Sequence, residues 1–196
     1  MKKVLVIQSS LSGEQGQSNQ LIEHLLSQGE GKITLDVHDL VKQPLSHLTM
    51  ADLIAWNSAE TTEAQAVAKA ESNDAIAALK QADVVVIGVP MYNFAIPTQL
   101  KAWLDRIVRA GVTFQYTEQG PVGLIDNKPV VLVATRGGAY AGTAADTQTP
   151  YLTQVLNFIG LTDLHFVYAE KLNMGEPATE LSAAKHHLSD LAARLF

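Results

Sequence analysis

The chain has 196 residues, of which 47% are hydrophobic and 17% charged, with a net charge of −6 and no cysteine. This length predicts one globular domain over residues 1–196 with a core of its own. The acidic balance, without any Lys/Arg cluster, excludes a nucleic-acid groove, and the missing cysteines exclude disulfides, thiolate metal sites and cysteine redox chemistry, so electron transfer would need a bound cofactor.

Lys2 and Lys3 lead into a short apolar run that Gln8, Ser9 and Ser10 end. That run is too short for a secretory leader, and no apolar stretch reaches membrane-spanning length, so the expected location is cytoplasmic. Residues 3–8 read as a first strand. The loop after it, with Ser9, Ser10, Ser12, Gly13, Gly16, Gln17, Ser18 and Asn19, opens a helix predicted over residues 18–27. Free amides at a helix start are a phosphate site. The loop has neither the lysine of GxxxxGK[ST] nor the GxGxxG turn. A phosphate held by Ser9, Gln17, Ser18, Asn19 and amides, without a cation, suits a flavin mononucleotide better than a nucleoside triphosphate. The plainer reading is that Ser18 caps the helix.

A second strand follows over residues 32–38. Residues 43–60 are irregular, read as short helices and loop, and are expected over the mouth of the pocket. No Lys or Arg lies between Lys42 and Lys69, which favours NADH over NADPH. A long helix over residues 62–81 places Glu63, Glu71 and Asp74 on a charged outer face. Residues 84–89 form a continuous β-branched run, the pattern of a parallel strand covered on both faces. Pro90, Met91, Tyr92, Asn93 and Phe94 follow, where open α/β sheets bind their ligands. Tyr92 and Phe94 suit a flat ring system and Asn93 its heteroatoms, a flavin being the suspected ligand; alternatively both rings pack on a neighbouring helix. Pro97 then fits the first turn of a helix with Leu100, Trp103, Leu104, Ile107 and Val108 on one stripe.

Within residues 112–127, the run Thr113 to Thr117 predicts a hairpin turning through Glu118, Gln119 and Gly120. A fourth strand over residues 129–135 ends in Thr135, Arg136, Gly137, Gly138, Ala139 and Tyr140. Paired glycines bring backbone amides close to a planar ligand, where they would stabilise negative charge; the plainer reading is a glycine turn with Arg136 in a salt bridge. A helix over residues 149–158, a strand over residues 164–168 and a closing helix, with Leu181, Ala184, Leu188, Leu191, Ala192 and Leu195 on one stripe, complete the chain. Strand and helix alternating five times predicts an α/β fold with a parallel sheet ordered 2-1-3-4-5 and helices on both faces. Three candidate loops then converge at the switch point. No histidine spacing suggests a metal site, and no GxSxG elbow suggests a hydrolase.

The block PMYNFAIPTQLKAWLDRIVRAGVTFQYTEQGP, with TRGG, SS and QSNQL, resembles the FMN-dependent NADH azoreductases, also described as NADH:quinone oxidoreductases, over essentially the full chain. The resemblance implies a flavodoxin-like fold, non-covalent FMN, NADH as co-substrate, and ping-pong, two-electron reduction of quinones and aromatic azo compounds. It also implies a homodimer with active sites at the subunit interface. Carried over, Ser9, Gln17 and Ser18 hold the phosphate, and Met91, Tyr92, Asn93, Phe94, Thr135, Gly137 and Gly138 face the isoalloxazine. Tyr116 and Phe158 help wall the substrate pocket. The flavin carries the chemistry, so no catalytic side chain is required. Thr135 stands where a serine is common, Gly16 where another serine is frequent, and Tyr140 where a histidine is frequent. Two other readings are a flavodoxin-type electron carrier without NADH oxidation, and a Rossmann-type enzyme with Asp36 or Asp39 as ribose ligand.

Overall fold

Every residue of Val84–Pro90 and of Val130–Thr135 is buried, which a strand achieves only with a neighbour at each edge and a layer on each face. The computed structural model, which describes residues 1–58 and 62–196, shows how this is met. In chain order the elements are β1 (Lys2–Gln8), α1 (Gln17–Ser27), β2 (Ile33–Asp39), α2 (Met50–Asn57), α3 (Glu63–Gln81) and β3 (Val84–Pro90). There follow α4 (Thr98–Ile107), β4 (Phe114–Thr117), β5 (Gly120–Gly123), β6 (Val130–Thr135), α5 (Gln148–Phe158), β7 (Leu164–Ala169) and α6 (Pro177–Leu195).

The parallel sheet runs β2-β1-β3-β6-β7, the expected 2-1-3-4-5 once the two hairpin strands are set aside. Successive side chains point to opposite faces. Val4, Val6, Val84, Val86, Val131 and Val133 meet Leu21, Ile22 and Leu25 of α1 and Leu188 and Leu191 of α6. Leu5, Ile7, Val85, Ile87 and Leu132 meet Leu79 of α3, Trp103 and Leu104 of α4, and Leu152 of α5 on the other side. Burial of these apolar faces is the main stabilisation of the fold.

Most predicted boundaries lie within a residue or two of the observed ones. Pro97 is the N-cap of α4 rather than a residue of its first turn, and Val108 is its C-cap. The irregular segment holds one helix, α2, started by a reciprocal capping box between Thr49 and Asp52; its expected end, residues 59–60, lies outside the described residues. Glu71 is not on an outer face, since it pairs with the buried Arg106 at 3.7 Å. Arg106 also lies 3.3 Å from Asp52, and the Arg109 guanidinium sits 5.0 Å from the Trp56 ring centre. These contacts draw α2 onto α3 and α4.

The hairpin turns through Glu118 and Gln119, with Gly120 already the first residue of β5. It docks on the end of α5 by backbone contact. A Cβ at Gly123 would lie 2.2 Å from the Gly160 nitrogen and 2.4 Å from the Ile159 carbonyl carbon. Gly123→Ala is therefore expected to push the hairpin off α5 and destabilise the fold by about 1–3 kcal/mol, as overpacking does. Urea unfolding of the variant against the wild type measures it.

Candidate functional site

Parallel strands leave the loops at their carboxyl ends around the switch point, and here those after β1, β3, β6 and β7 enclose an open cleft of about 340 Å³. Gln17, Met91, Tyr92, Thr135 and Gly137 line it, together with Ser10, Ser12, Gln15, Gly16, Leu172 and Asn173.

At the first loop, α1 begins with Gly16 as N-cap and no side-chain cap. Ser18 is the second helical residue, so it does not cap the helix. Among the described residues, the amides of Gln17, Ser18 and Asn19 donate no hydrogen bond, as expected of the first turn of a helix. The Ser18 hydroxyl is buried, at 1% exposure for the residue, and has no partner. Ser9 differs from the expectation: its hydroxyl donates to the Gly88 carbonyl at 2.7 Å and lines no part of the cleft. Gly16 is required by packing, since a Cβ there would fall 2.1 Å from Ser10 Oγ.

The loop after β3 makes a tight turn. Tyr92 and Ala95 exchange backbone hydrogen bonds of 3.1 and 3.0 Å, and between them Asn93 (φ 49°) and Phe94 (φ 63°) are both left-handed, as a type I′ turn requires. Asparagine tolerates this region; a phenylalanine there is strained. Met91 and Tyr92 face the cleft, and the Tyr92 hydroxyl accepts the Leu11 amide at 3.1 Å. Asn93 and Phe94 instead border an adjoining apolar recess of about 550 Å³ that Thr147 and Tyr151 also line. Phe94 is 61% exposed, and its ring meets Tyr140 edge-on at 6.0 Å.

The glycine turn after β6 rests on Arg136, whose side chain is wholly buried. It pairs with Asp146 at 2.9 Å and Glu170 at 3.1 Å, donates to Gln148 at 2.9 Å, and lies 4.9 Å from the Tyr168 ring centre. Glu170 also accepts the Tyr140 and Ala141 amides at 2.8 and 2.9 Å. The expected salt bridge of Arg136 is thus present, and the Gly137 and Gly138 amides still donate to nothing among the described residues. Gly137 lines the cleft; Gly138 lies behind it, against Tyr140.

Leu172 and Asn173 were not anticipated as cleft residues. Their amides bond to the carbonyls of Arg136 and Gly137, at 3.1 Å each, which folds the β7 loop onto the glycine turn. Tyr116 and Phe158, expected at the substrate pocket, line neither cleft nor recess within one chain. Tyr116 is 75% exposed on the hairpin, and Phe158 borders a separate hollow between α4 and α5. The segment expected over the mouth is also elsewhere: Gln43 and Leu45 line a recess beside Trp103, and Leu53, Trp56 and Asn57 a hollow beside Arg109.

A family model of the flavodoxin-like fold matches residues 2–194. The chain belongs to that family. Within it, the chain is 50% identical over 180 residues to an FMN-dependent NADH:quinone oxidoreductase of Alteromonas mediterranea, covering 90% of each. An azoreductase from Bacillus anthracis superposes with a TM-score of 0.90 at 29% identity, over 99% of this chain and 100% of that one. An FMN-dependent NADH-azoreductase of the same species, solved in complex with FMN, does so with a TM-score of 0.88 at 26% identity, over 100% and 99%. Among the described residues of this flavodoxin-like chain, no helix is long and apolar enough to cross a membrane, and no group of His, Asp and Glu could hold a metal ion.

Burial would raise the Asp146 carboxyl, but hydrogen bonds from the Thr149 hydroxyl and amide, with Arg136 beside it, hold it below the usual carboxylate range. A depressed folded value stabilises above the unfolded pKa of about 3.9 and is lost as pH falls through the lowered one. Asp146→Asn is accordingly expected to cost about 3 kcal/mol near neutral pH. In urea titrations the gap to wild type begins to narrow as the pH falls below about 4, where the unfolded carboxyl takes a proton, and closes once the pH passes the lowered folded value.

Proposed function

We propose that residues 1–196 form one FMN-binding domain that uses NADH to reduce quinones and aromatic azo compounds. The observation that carries this reading is a set of donors without partners among the described residues, on two loops that border one cleft: the three first-turn amides of α1 with the Ser18 hydroxyl, and the Gly137 amide with Gly138 behind it. An unsatisfied buried donor such as the Ser18 hydroxyl is costly, and these donors are of the kind that a phosphate and a ring carbonyl would satisfy. The names of the relatives agree, FMN-dependent NADH:quinone oxidoreductase and azoreductase. They favour this reading over a carrier that cannot oxidise NADH.

In this reading the α1 amides, Gln17 and Ser18 hold the phosphate, and Ser9, whose hydroxyl is engaged by Gly88, braces the loop behind them. Met91, Tyr92, Asn93 and Phe94 flank the ring on one side, Thr135, Gly137 and Gly138 on the other. FMN held by these residues would supply the redox chemistry: hydride uptake from NADH and delivery of two electrons and two protons, the second proton drawn from solvent, to a quinone or an azo bond. The chain binds and orients, and its glycine amides stabilise negative charge at the ring. Tyr116 and Phe158 reach the substrate only from a second copy, so the working unit is a homodimer with its sites at the interface. We place it in the cytoplasm.

Ser18→Ala separates binding from folding. The hydroxyl has no hydrogen-bond partner among the described residues, so its loss should leave apoprotein stability unchanged or slightly improved. Affinity for FMN should fall by about tenfold, since a hydrogen bond to a charged group is worth about 1.5–3 kcal/mol. Fluorescence titration of the apoprotein with FMN, beside thermal unfolding, measures both; unchanged affinity would remove Ser18 from the phosphate site.

Arg136 is the one cation among the described residues lining the cleft, and its guanidinium is committed to Asp146 and Glu170. A 2′-phosphate therefore finds no free charge there. Steady-state kinetics with a simple benzoquinone should give NADH a kcat/KM at least about tenfold above that of NADPH. Double-reciprocal lines should be parallel, because one ring-sized slot admits nicotinamide and acceptor in turn. An NADPH preference or intersecting lines would contradict these expectations.

A further inference from the structure

The strained turn at Asn93 and Phe94 is held from outside by the first residues of α5. The Gln148 side-chain amide donates to the Pro90 carbonyl at 3.1 Å and to the Ala95 carbonyl at 3.2 Å, and the Thr147 hydroxyl donates to the Phe94 carbonyl. Three carbonyls of one short loop are thus captured by two consecutive residues. The other end of the Gln148 side chain accepts from Arg136 Nε at 2.9 Å, and Arg136 is the residue that leads into the glycine turn. Gln148 is 1% exposed and lines neither cleft nor recess. One buried amide therefore ties the aromatic turn to the base of the glycine turn without reaching the space between them.

We propose that Gln148 is a positioning residue that sets the separation of the two turns, and through it the affinity and reduction potential of the flavin between them. This rests on the FMN reading above. Left-handed geometry at a phenylalanine persists only where the surroundings over-determine it, and the three captured carbonyls supply that constraint. When they are released, the turn relaxes, the slot widens, and the Gly137 and Gly138 amides no longer face the ring at hydrogen-bond distance. Those amides favour the more negative, reduced flavin, so the potential moves to more negative values as affinity falls.

Gln148→Glu is the selective change. It keeps an oxygen for Arg136 and replaces the donor to Pro90 and Ala95 with a second oxygen. FMN titration of the apoprotein and redox titration of the FMN-loaded protein should show a Kd raised about tenfold and a potential shifted to more negative values. Thr147→Val removes the Phe94 contact from an exposed position, so it decides the matter if Gln148→Glu does not fold. It should move both quantities in the same direction by a smaller amount, about threefold in Kd. Val155→Ala loosens α5 two turns further on and should lower Tm while leaving the potential unmoved. If Kd and potential in the Gln148 and Thr147 variants match the wild type, the proposal fails. A weaker Kd with an unmoved potential makes Gln148 merely structural and also overturns it. Wild-type protein that binds no FMN refutes the functional reading itself, and this inference with it.

Discussion

Taking a guanidinium out of water costs several kcal/mol unless its charge and its donors are all met. Arg136 meets that condition by drawing on separate stretches of chain. Asp146 and Thr149 come from the approach to α5 and its first turn, Glu170 from the end of β7, and the Tyr168 ring from β7 itself. None of these partners can leave without stranding a buried charge. The loops around the cleft are consequently a coupled set. Glu170 passes the constraint to the Tyr140 and Ala141 amides, and Gln148 passes it to the turn after β3. Because the network consumes side-chain groups and a few amides elsewhere, it leaves the Gly137 and Gly138 amides unengaged. Rigidity of the walls and availability of the donors have the same origin.

Two further buried arginines act in the opposite direction, away from the cleft. Arg106 holds Asp52 and Glu71, and Arg109 donates to Ser72 at 3.1 Å and to Asn73 at 2.7 Å. Together with Trp56 they seat α2 against the long helix α3. Burial would raise the Asp52 carboxyl, yet the Thr49 hydrogen bonds and Arg106 bring it below its ordinary range. The helix of the irregular segment expected over the pocket mouth is thereby pinned to the flank of the domain.

The sheet and its helices were legible because their signals are regular: apolar, mostly β-branched runs for β3 and β6, helical stripes for α4 and α6. Loops carrying glycine pairs or clustered aromatics were legible too, since those residue types are unusual in a row. What escaped was the work of single polar atoms. Nothing in the spacing of Ser9 and Ser18 says that the first hydroxyl is engaged by a strand carbonyl and the second left open. Leu172 and Asn173 reach the cleft through backbone bonds to a loop more than thirty positions earlier, a pairing with no pattern in either stretch. The burial of Arg106 and Arg109 leaves no mark in sequence, because periodicity marks the apolar face and is silent about a cation buried beside it. Tyr116 and Phe158 lie apart from both the cleft and the adjoining recess, which no spacing in the sequence reveals.

The hairpin of β4 and β5 meets the body of the domain through main-chain atoms and one buried ring, that of Phe114, which lies 4.4 Å from the Phe158 ring between centroids. Gly123 abuts the backbone of Ile159 and Gly160, Leu124 N–H bonds to the Thr113 carbonyl at 2.8 Å, and Ile125 N–H bonds to the Ile159 carbonyl at 3.0 Å. Its side chains at Gln115, Tyr116 and Val122 point outward. An attachment written in backbone is indifferent to most of the residues that ride on it. Mutation can therefore redraw the outward surface of this hairpin while the sheet, the arginine network and the glycine turn stay as they are. In evolutionary terms the hairpin is an exchangeable part mounted on a fixed frame.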